Sequence, residues 1–283
     1  MKTSFKKELL KARELGYAVP AFNWDNLEML KGIIEAAENL QAPVILMVTE
    51  SAAKYMGVDY AIAQGLSAVS QAKVPVILHW DHGFDKNLIK YAIDAGFDSV
   101  MLDASQQPFH LNVAETQEIV AYARAKGVEV ESEIGHVGGK EDDRNSNNGG
   151  YTDPHEARQF NNLTQVDALA IAVGTAHGLY KGKVNLQFHL IEEMAQTIDT
   201  PLVLHGSSDV PHEQLSQAIA KGIAKINIGT DLKVAYADAI KNWFQNNPDG
   251  FDARKFGRSG IDAVRTVAEA KIKAFNAAGK ALE

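Results

Sequence analysis

Short apolar runs rich in Val, Ile, Leu and Ala recur along the 283-residue chain and alternate with segments of helical periodicity. Eight runs stand out: 18–23 (AVPAFN), 43–50 (PVILMVTE), 75–81 (PVILHWD), 99–104 (SVMLDA), 128–134 (VEVESEI), 167–173 (DALAIAV), 201–205 (PLVLH) and 225–229 (KINIG). Runs of this kind read as strands buried on both faces. They begin at intervals of roughly 23–39 residues, the spacing of repeated β-α units. The segments 27–40, 86–96, 155–163 and 212–222 carry apolar positions at helical spacing. Gly96, Gly127 and Gly222 stand where a helix C-terminus calls for a left-handed residue. Eight alternations without an intervening linker predict an α/β fold, one (β/α)8 barrel domain over residues 1–283. The opening helix, residues 3–15, is placed as an N-terminal cap on the bottom of the barrel, and the segment 231–280 is long enough for two or three extra C-terminal helices. Residues 138–150 (GGKEDDRNSNNGG) break the rhythm. They predict a solvated surface loop or, because they follow the fifth strand on the face where barrel sites assemble, a mobile lid.

Three of the runs end in histidine: His82 within VILHWDHG, His177 within AVGTAHG and His205 within PLVLHGSS. One histidine at a strand end is usually a hydrogen-bonded core residue. Three at the C-terminal ends of barrel strands predict a metal site, and three imidazoles leave a fourth position open for substrate, as in catalytic zinc centres. Asp81 adjoins His82 and is placed for proton transfer; its alternative is a helix N-cap. His79 lies deeper in the same strand and is read as structural. Asp103 and Glu133 end the fourth and fifth strands, either as ligands of a second cation, as partners of the histidines, or as caps and lysine partners.

The net charge of −8 argues against nucleic acid or an anionic membrane as partner, since both need a basic face. An anionic substrate must then be held locally, by backbone N–H groups and a few lysines. With no cysteine there are no disulfides or zinc–thiolate sites. No apolar stretch reaches signal-peptide or membrane-span length, so a cytoplasmic enzyme is expected. Phosphate-binding signals are spread over Gly206-Ser207-Ser208, Asn227-Ile228-Gly229-Thr230 and Gly178 with Lys181. Loops after the seventh and eighth strands are the recurring phosphate site of such barrels. Together with the histidines they favour a phosphorylated small molecule.

The strings AVPAFN, DHG (81–83), DAS (103–105), EIGHVGGKEDD (133–143), YTDP (151–154), GTAHGLYKG (174–182), LHGSS (204–208) and KINIGTD (225–231) span nearly the whole chain. In these the sequence resembles the class II, metal-dependent ketose-bisphosphate aldolases, which act on fructose- and tagatose-1,6-bisphosphate and are built on a TIM barrel. The resemblance implies that His82, His177 and His205 bind a catalytic Zn2+. Asp81 would exchange the C4 hydroxyl proton, and Glu141 the proton at the enediolate carbon. Asp103 and Glu133 match positions of a second divalent ion. Gly178, Gly206, Ser207, Ser208, Asn227, Ile228, Gly229 and Thr230 match the contacts to dihydroxyacetone phosphate. The resemblance further implies a monovalent cation, Na+ or K+, near the phosphate loops, and a homodimer or homotetramer. A metal-free aldolase would need a Schiff-base lysine, and Lys225 is read as starting its strand, at the wrong end of the barrel.

Four positions depart from the family pattern. Asp209 stands where the phosphate loop commonly has glycine, and Trp80 replaces an aliphatic residue. Thr49 stands where a serine often contacts the aldehyde half. Ile261 falls near an expected arginine for the distal phosphate, a role that Arg254, Arg258 or Arg265 would otherwise have to fill. These bear on the aldehyde partner more than on the reaction, so an aldolase acting on another ketose 1-phosphate with a non-phosphorylated aldehyde half is the alternative. A metal-dependent hydrolase would want a His-x-His pair on the first strand, which AVPAFN lacks. A non-catalytic accessory subunit should have lost a histidine or Asp81, and all four are present.

Overall fold

The computed structural model describes residues 3–141, 144–146, 150–178, 180 and 184–282, with the backbone alone described at 140, 141 and 144–146. All eight apolar runs become strands: β1 (Val19–Asn23), β2 (Val44–Thr49), β3 (Val76–Gly83), β4 (Ser99–Leu102), β5 (Glu129–Ile134), β6 (Ala168–Ile171), β7 (Leu202–Leu204) and β8 (Ile223–Ile228). They pair in parallel in the order β1-β8-β7-β6-β5-β4-β3-β2 and close into a barrel. Nearly every strand residue is buried, because one face lines the barrel and the other lies under the helices. Each strand is followed by one or two helices, so the polypeptide turns from strand to helix always at the same end. That end carries the site.

The opposite end is closed by the helix Phe5–Leu15, as the sequence predicts. Ser4 caps it and also donates to Glu129 Oε1 at 2.7 Å, while the Lys6 N–H bonds Glu129 Oε2 at 3.0 Å, tying the helix to the start of β5. Its Phe5 ring is fully buried and stacks on His79 at 5.4 Å, sealing the barrel floor. The C-terminal segment forms two helices, Thr230–Asn246 and Ala253–Ala274, and a short 3-10 turn, Lys280–Leu282. Tyr236 packs flat on Gly260, where any side chain would strike the ring, so the two helices run closely against each other. Among the described residues no helix is long and apolar enough to cross a membrane.

Two local expectations are corrected. Residues 138–150 are not structureless throughout: Gly138–Glu141 and Arg144–Ser146 pair as an antiparallel ribbon, and Gly138 and Gly139 pair in parallel with Ala176 and His177. Apolar periodicity could not reveal a ribbon whose partner lies forty residues away across the barrel mouth. Lys225 is not at a strand end. It is the third residue of β8, and its side chain lies wholly inside the barrel.

Candidate active site

Alternation along the strands decides which side chains enter the barrel. On β3 these are His79 and Asp81, on β5 Glu131 and Glu133, on β8 Lys225 and Asn227, and on β1 Asn23; all are buried. Trp80, between His79 and Asp81, points the other way and packs edge-on against Phe97 at 5.8 Å, so its departure from the family pattern does not touch the site. Strict alternation would also send His82 outward. Instead the pairing of β3 with β4 slips between Trp80 and Gly83, and His82 takes a left-handed conformation with φ of 44°. A non-glycine residue there is strained, and the strain lets two successive side chains, Asp81 and His82, face one cavity.

His177 and His205 arrive from the ends of β6 and β7. Ring centroids of His82 lie 5.1 Å from His177 and 4.7 Å from His205, and His177 lies 6.0 Å from His205. One nitrogen of each ring falls within 4.8 Å of the others, a spacing that can hold a metal ion. The rings are braced from behind. His82 Nδ1 bonds Asp103 Oδ2 at 2.9 Å, and Asp103 also accepts from the Ser105 hydroxyl at 2.7 Å. His205 bonds Glu133 Oε2 through Nδ1 at 3.0 Å and Glu131 Oε1 through Nε2 at 2.8 Å. The arrangement disfavours reading Asp103 and Glu133 as helix caps or lysine partners. His82, Asp103 and Glu133 also form a second group able to hold an ion.

Asp81 is not a helix N-cap; Asp85 has that role. Asp81 instead accepts from Asn23 Nδ2 at 2.8 Å and Asn227 Nδ2 at 3.3 Å. Burial opposes its ionisation, but the charges of His82, Lys225 and His205 outweigh it and hold the carboxyl below its ordinary range. Burial likewise opposes ionisation of Glu131 and Asp103, and Lys225 with His205 for the first, and His82 with Ser105 for the second, keep both strongly acidic. His177 is held neutral by burial and by the two neighbouring histidines. For His205 burial works against the charged ring, yet the bonds to Glu131 and Glu133 raise its pKa. Neutral His177 and the carboxylate-braced rings suit metal ligation.

The cavity beside the histidines is lined by Asn23, Asp81, His177, Gly178, the loop Gly206, Ser207 and Ser208, and by Asn227, Gly229, Thr230 and Lys233. Gly229 caps the helix Thr230–Asn246 with no side chain of its own, so the helix N-terminus meets the cavity without a Cβ between them, an arrangement suited to an anion. Ser208 Oγ accepts from the Asp231 N–H at 3.3 Å and fixes that turn. Gly206 has φ of 61°, and a Cβ there would meet the Ala176 backbone at 2.6 Å. The Tyr180 hydroxyl links the same two loops, accepting from the Ala176 N–H at 2.7 Å and donating to the Gly206 carbonyl at 2.6 Å. Asp209 takes φ of 61°, the conformation for which glycine is commonly used, and its N–H bonds Asp231 Oδ1 at 3.1 Å.

Other sequence candidates are placed differently. Thr49 lies beside Asp81 in the sheet register, but its hydroxyl caps the helix Glu50–Met56 and it does not line the cavity. The Ile228 side chain is in the core. Lys181 lies outside the described residues, as does the Glu141 side chain, whose backbone ends the ribbon strand Gly138–Glu141. Ile261 is buried under the helix Leu27–Asn39. Arg258 and Arg265 are bonded to Glu35 and Asp262, Arg254 to Asp252, and none of the three lines the cavity. Sequence reasoning missed Asn23, Glu131, Lys225 and Lys233. The alternation Glu131-x-Glu133 and Lys225-x-Asn227 was the available signal for inward-facing pairs.

Residues 3–280 match the family described as fructose-bisphosphate aldolase class-II. The chain is 43% identical over 281 residues to a fructose-bisphosphate aldolase of Staphylococcus aureus (strain Mu50), covering 98% of each sequence. It is 42% identical over 283 residues to one of Geobacillus stearothermophilus, covering 99% of each. Among solved structures it is similar to the YdjI aldolase from Escherichia coli K12, with a TM-score of 0.89, 35% identity, and 99% and 100% of the two chains covered. It is also similar to a putative fructose-1,6-bisphosphate aldolase from Coccidioides immitis, with a TM-score of 0.91, 30% identity, and 98% and 97% covered.

The wholly buried His79 makes stability depend on pH. Burial, then the charge of Lys225, pushes its pKa down from 6.5 to about 3. The unfolded chain therefore takes up a proton between these values that the folded one refuses. The stability this group contributes is complete above pH 6.5 and is lost as pH falls toward 3, on the order of 4–5 kcal/mol. Urea unfolding of chelator-treated protein across that window should show a clearly shallower pH slope for His79→Gln than for the parent; equal slopes would remove His79 as the cause.

Proposed function

The chain belongs to the class II fructose-bisphosphate aldolase family, and from that membership we propose that it reversibly cleaves fructose- or tagatose-1,6-bisphosphate to dihydroxyacetone phosphate and glyceraldehyde 3-phosphate. It is a carbon–carbon lyase of a metal-dependent family. The observation that carries the substrate reading is that the three-histidine cluster and Asp81 open into the same cavity as the Gly206–Ser208 loop and the helix N-terminus at Thr230.

The donor set fits a divalent ion held by His82, His177 and His205, and three borderline imidazole donors favour Zn2+. When bound, that ion supplies the Lewis acid that a carbanion next to a C2 carbonyl needs. Ionised Asp81, clamped by two amide donors, is set to accept the C4 hydroxyl proton during cleavage and to return it in condensation. Glu141 would exchange the proton at the donor carbon, and the pairing of its ribbon with the strand of His177 supports its proximity. Gly178, Gly206, Ser207, Ser208 and Asn227 through Thr230 would hold the donor phosphate, with Lys233 at the cavity wall and Lys181 adding positive charge. Asp103 and Glu133 brace the histidines and would admit a second divalent ion. The reading extends to a cytoplasmic homodimer or homotetramer, which sedimentation and fractionation resolve.

Chelation should abolish cleavage, Zn2+ should restore it, and alanine at His82, His177 or His205 should remove metal and activity together. Turnover undiminished in excess chelator would sink this reading.

The two proton-transfer groups should separate. Asp81→Ala should lower cleavage by about 10²–10⁴-fold, the usual contribution of a general base, while largely sparing hydrogen exchange on dihydroxyacetone phosphate. Glu141→Ala should impair that exchange. Parallel loss of exchange in both variants would contradict the division.

Among the described residues no arginine lines the cavity: Ile261 is buried, Arg254, Arg258 and Arg265 are tied to carboxylates, and Lys233, paired with Asp25 at 3.2 Å, is the cavity's one lysine. A missing charged contact costs about 1.5–3 kcal/mol. Matched mono- and bisphosphate substrates should therefore differ in kcat/KM by less than about a hundredfold, roughly 2.7 kcal/mol. A larger bisphosphate advantage would show that a distal-phosphate grip exists.

A further inference from the structure

Two opposite charges lie inside the barrel where no substrate reaches them. Lys225 and Glu131 are each fully buried, and Lys225 Nζ lies 2.9 Å from Glu131 Oε2. Neither lines the cavity. Glu131 Oε2 also lies 3.8 Å from His79 Nε2, and each ion of the pair touches one group of the site. Lys225 Nζ donates to Asn227 Oδ1 at 2.8 Å, and Asn227 Nδ2 donates on to Asp81 Oδ1 at 3.3 Å. Glu131 Oε1 meets His205 Nε2 at 2.8 Å.

The signs of the two charges fix what each neighbour can do. An ammonium only donates, so Asn227 must turn its oxygen toward Lys225, which leaves its NH2 for Asp81. Without Lys225 the amide oxygen loses its donor, and only the long bond to Asp81 still holds the side chain in place. A carboxylate only accepts, so Glu131 requires a proton on His205 Nε2. Nδ1 also meets a carboxylate, Glu133 Oε2 at 3.0 Å, but among the described residues no lysine pins Glu133 there, so this is the bond a metal can displace and Nδ1 is the nitrogen left for it. We propose that Lys225 and Glu131 form one positioning unit, which sets the Asn227 amide and through it the Asp81 carboxylate on one side, and the tautomer and ring plane of His205 on the other. A plain structural salt bridge would hold the strands together equally well with the site groups disordered around it. A Schiff-base role is excluded by placement, since the ammonium is turned away from the cavity.

The cleavage arm of the test rests on the aldolase reading above; the metal arm does not. The first measurement uses the unaltered protein: long-range proton–nitrogen correlation of ring-labelled histidine in the Zn2+-loaded chain. His205 should appear protonated at Nε2 with Nδ1 as ligand, and ligation through Nε2 would overturn the proposal. The second uses paired, charge-balanced substitutions, which avoid stranding one buried ion. Glu131→Gln with Lys225→Met keeps an acceptor for Nε2 and should leave Co2+ affinity and its visible spectrum unchanged. Its cleavage should fall at least about tenfold relative to hydrogen exchange on dihydroxyacetone phosphate, because Asn227 is released. Glu131→Leu with Lys225→Met removes the acceptor as well. It should weaken Co2+ binding by about 10–100-fold, the usual effect of losing a ligand's supporting bond, and shift the spectrum. An unchanged cleavage-to-exchange ratio in the first pair, or unchanged Co2+ affinity and spectrum in the second, would reduce the ion pair to a structural one. If the unaltered protein cleaved no ketose phosphate, the aldolase reading would fail, while the tautomer and Co2+ results would still decide the His205 half.

Discussion

A charged side chain shut inside a dry barrel keeps its charge only if opposite charge and hydrogen bonds are built around it. That constraint organises the interior of this protein. Lys225 and Glu131 neutralise each other, Asn227 and Asn23 satisfy Asp81, and Glu131 and Glu133 hold His205 from both sides. Replacing such a network with apolar residues often costs no stability, so its presence argues for a function other than holding the fold. Here its members converge on His205, one of three histidines spaced to hold a metal ion, and on the carboxylate of Asp81.

The outer half of the site is assembled by loops that hold one another. The ribbon Gly138–Glu141 pairs with the strand Ala176–His177, and a side chain at Gly139 would collide with the His177 backbone. Tyr180 joins the loop of His177 to that of His205, and burial, reinforced by the charge of Asp209, raises its pKa to about 12, so it remains a hydroxyl that can donate and accept at once. Lys271 reaches Asp231 at 2.6 Å, and Asp231 receives the Asp209 N–H, linking the last helix to the phosphate loop. The histidines are thus fixed by braces behind them and by loops beside them.

Electrostatics explains how a chain of net charge −8 can favour an anion. The cavity offers a helix N-terminus and turn glycines in place of a basic surface. Arg258 and Arg265, which would supply a stronger grip, are consumed by Glu35 and Asp262 on the outside of the barrel.

The eight strands, the barrel and the three strand-end histidines were legible in the sequence. Burial on both faces forces long apolar runs, and the β-α repeat spaces them regularly. A strand end is also where a histidine can leave the core and meet others, so His82, His177 and His205 were visible as soon as the runs were counted. What the sequence could not settle depended on contacts across the barrel. Asp81 and His82 face one cavity only because the β3–β4 register slips and His82 turns left-handed. Lys225, read as a strand start, becomes the partner of Glu131 because β8 begins two residues earlier. Thr49, which stands where the resembling family often has a serine, has its hydroxyl at the cap of the helix Glu50–Met56, a contact its position in the sequence alone did not disclose. The ribbon in 138–146 gains its order from a strand that only the closed barrel brings beside it. Periodicity records which residues are hidden from water; which buried polar group meets which other is decided by register and closure, and these exist only in three dimensions.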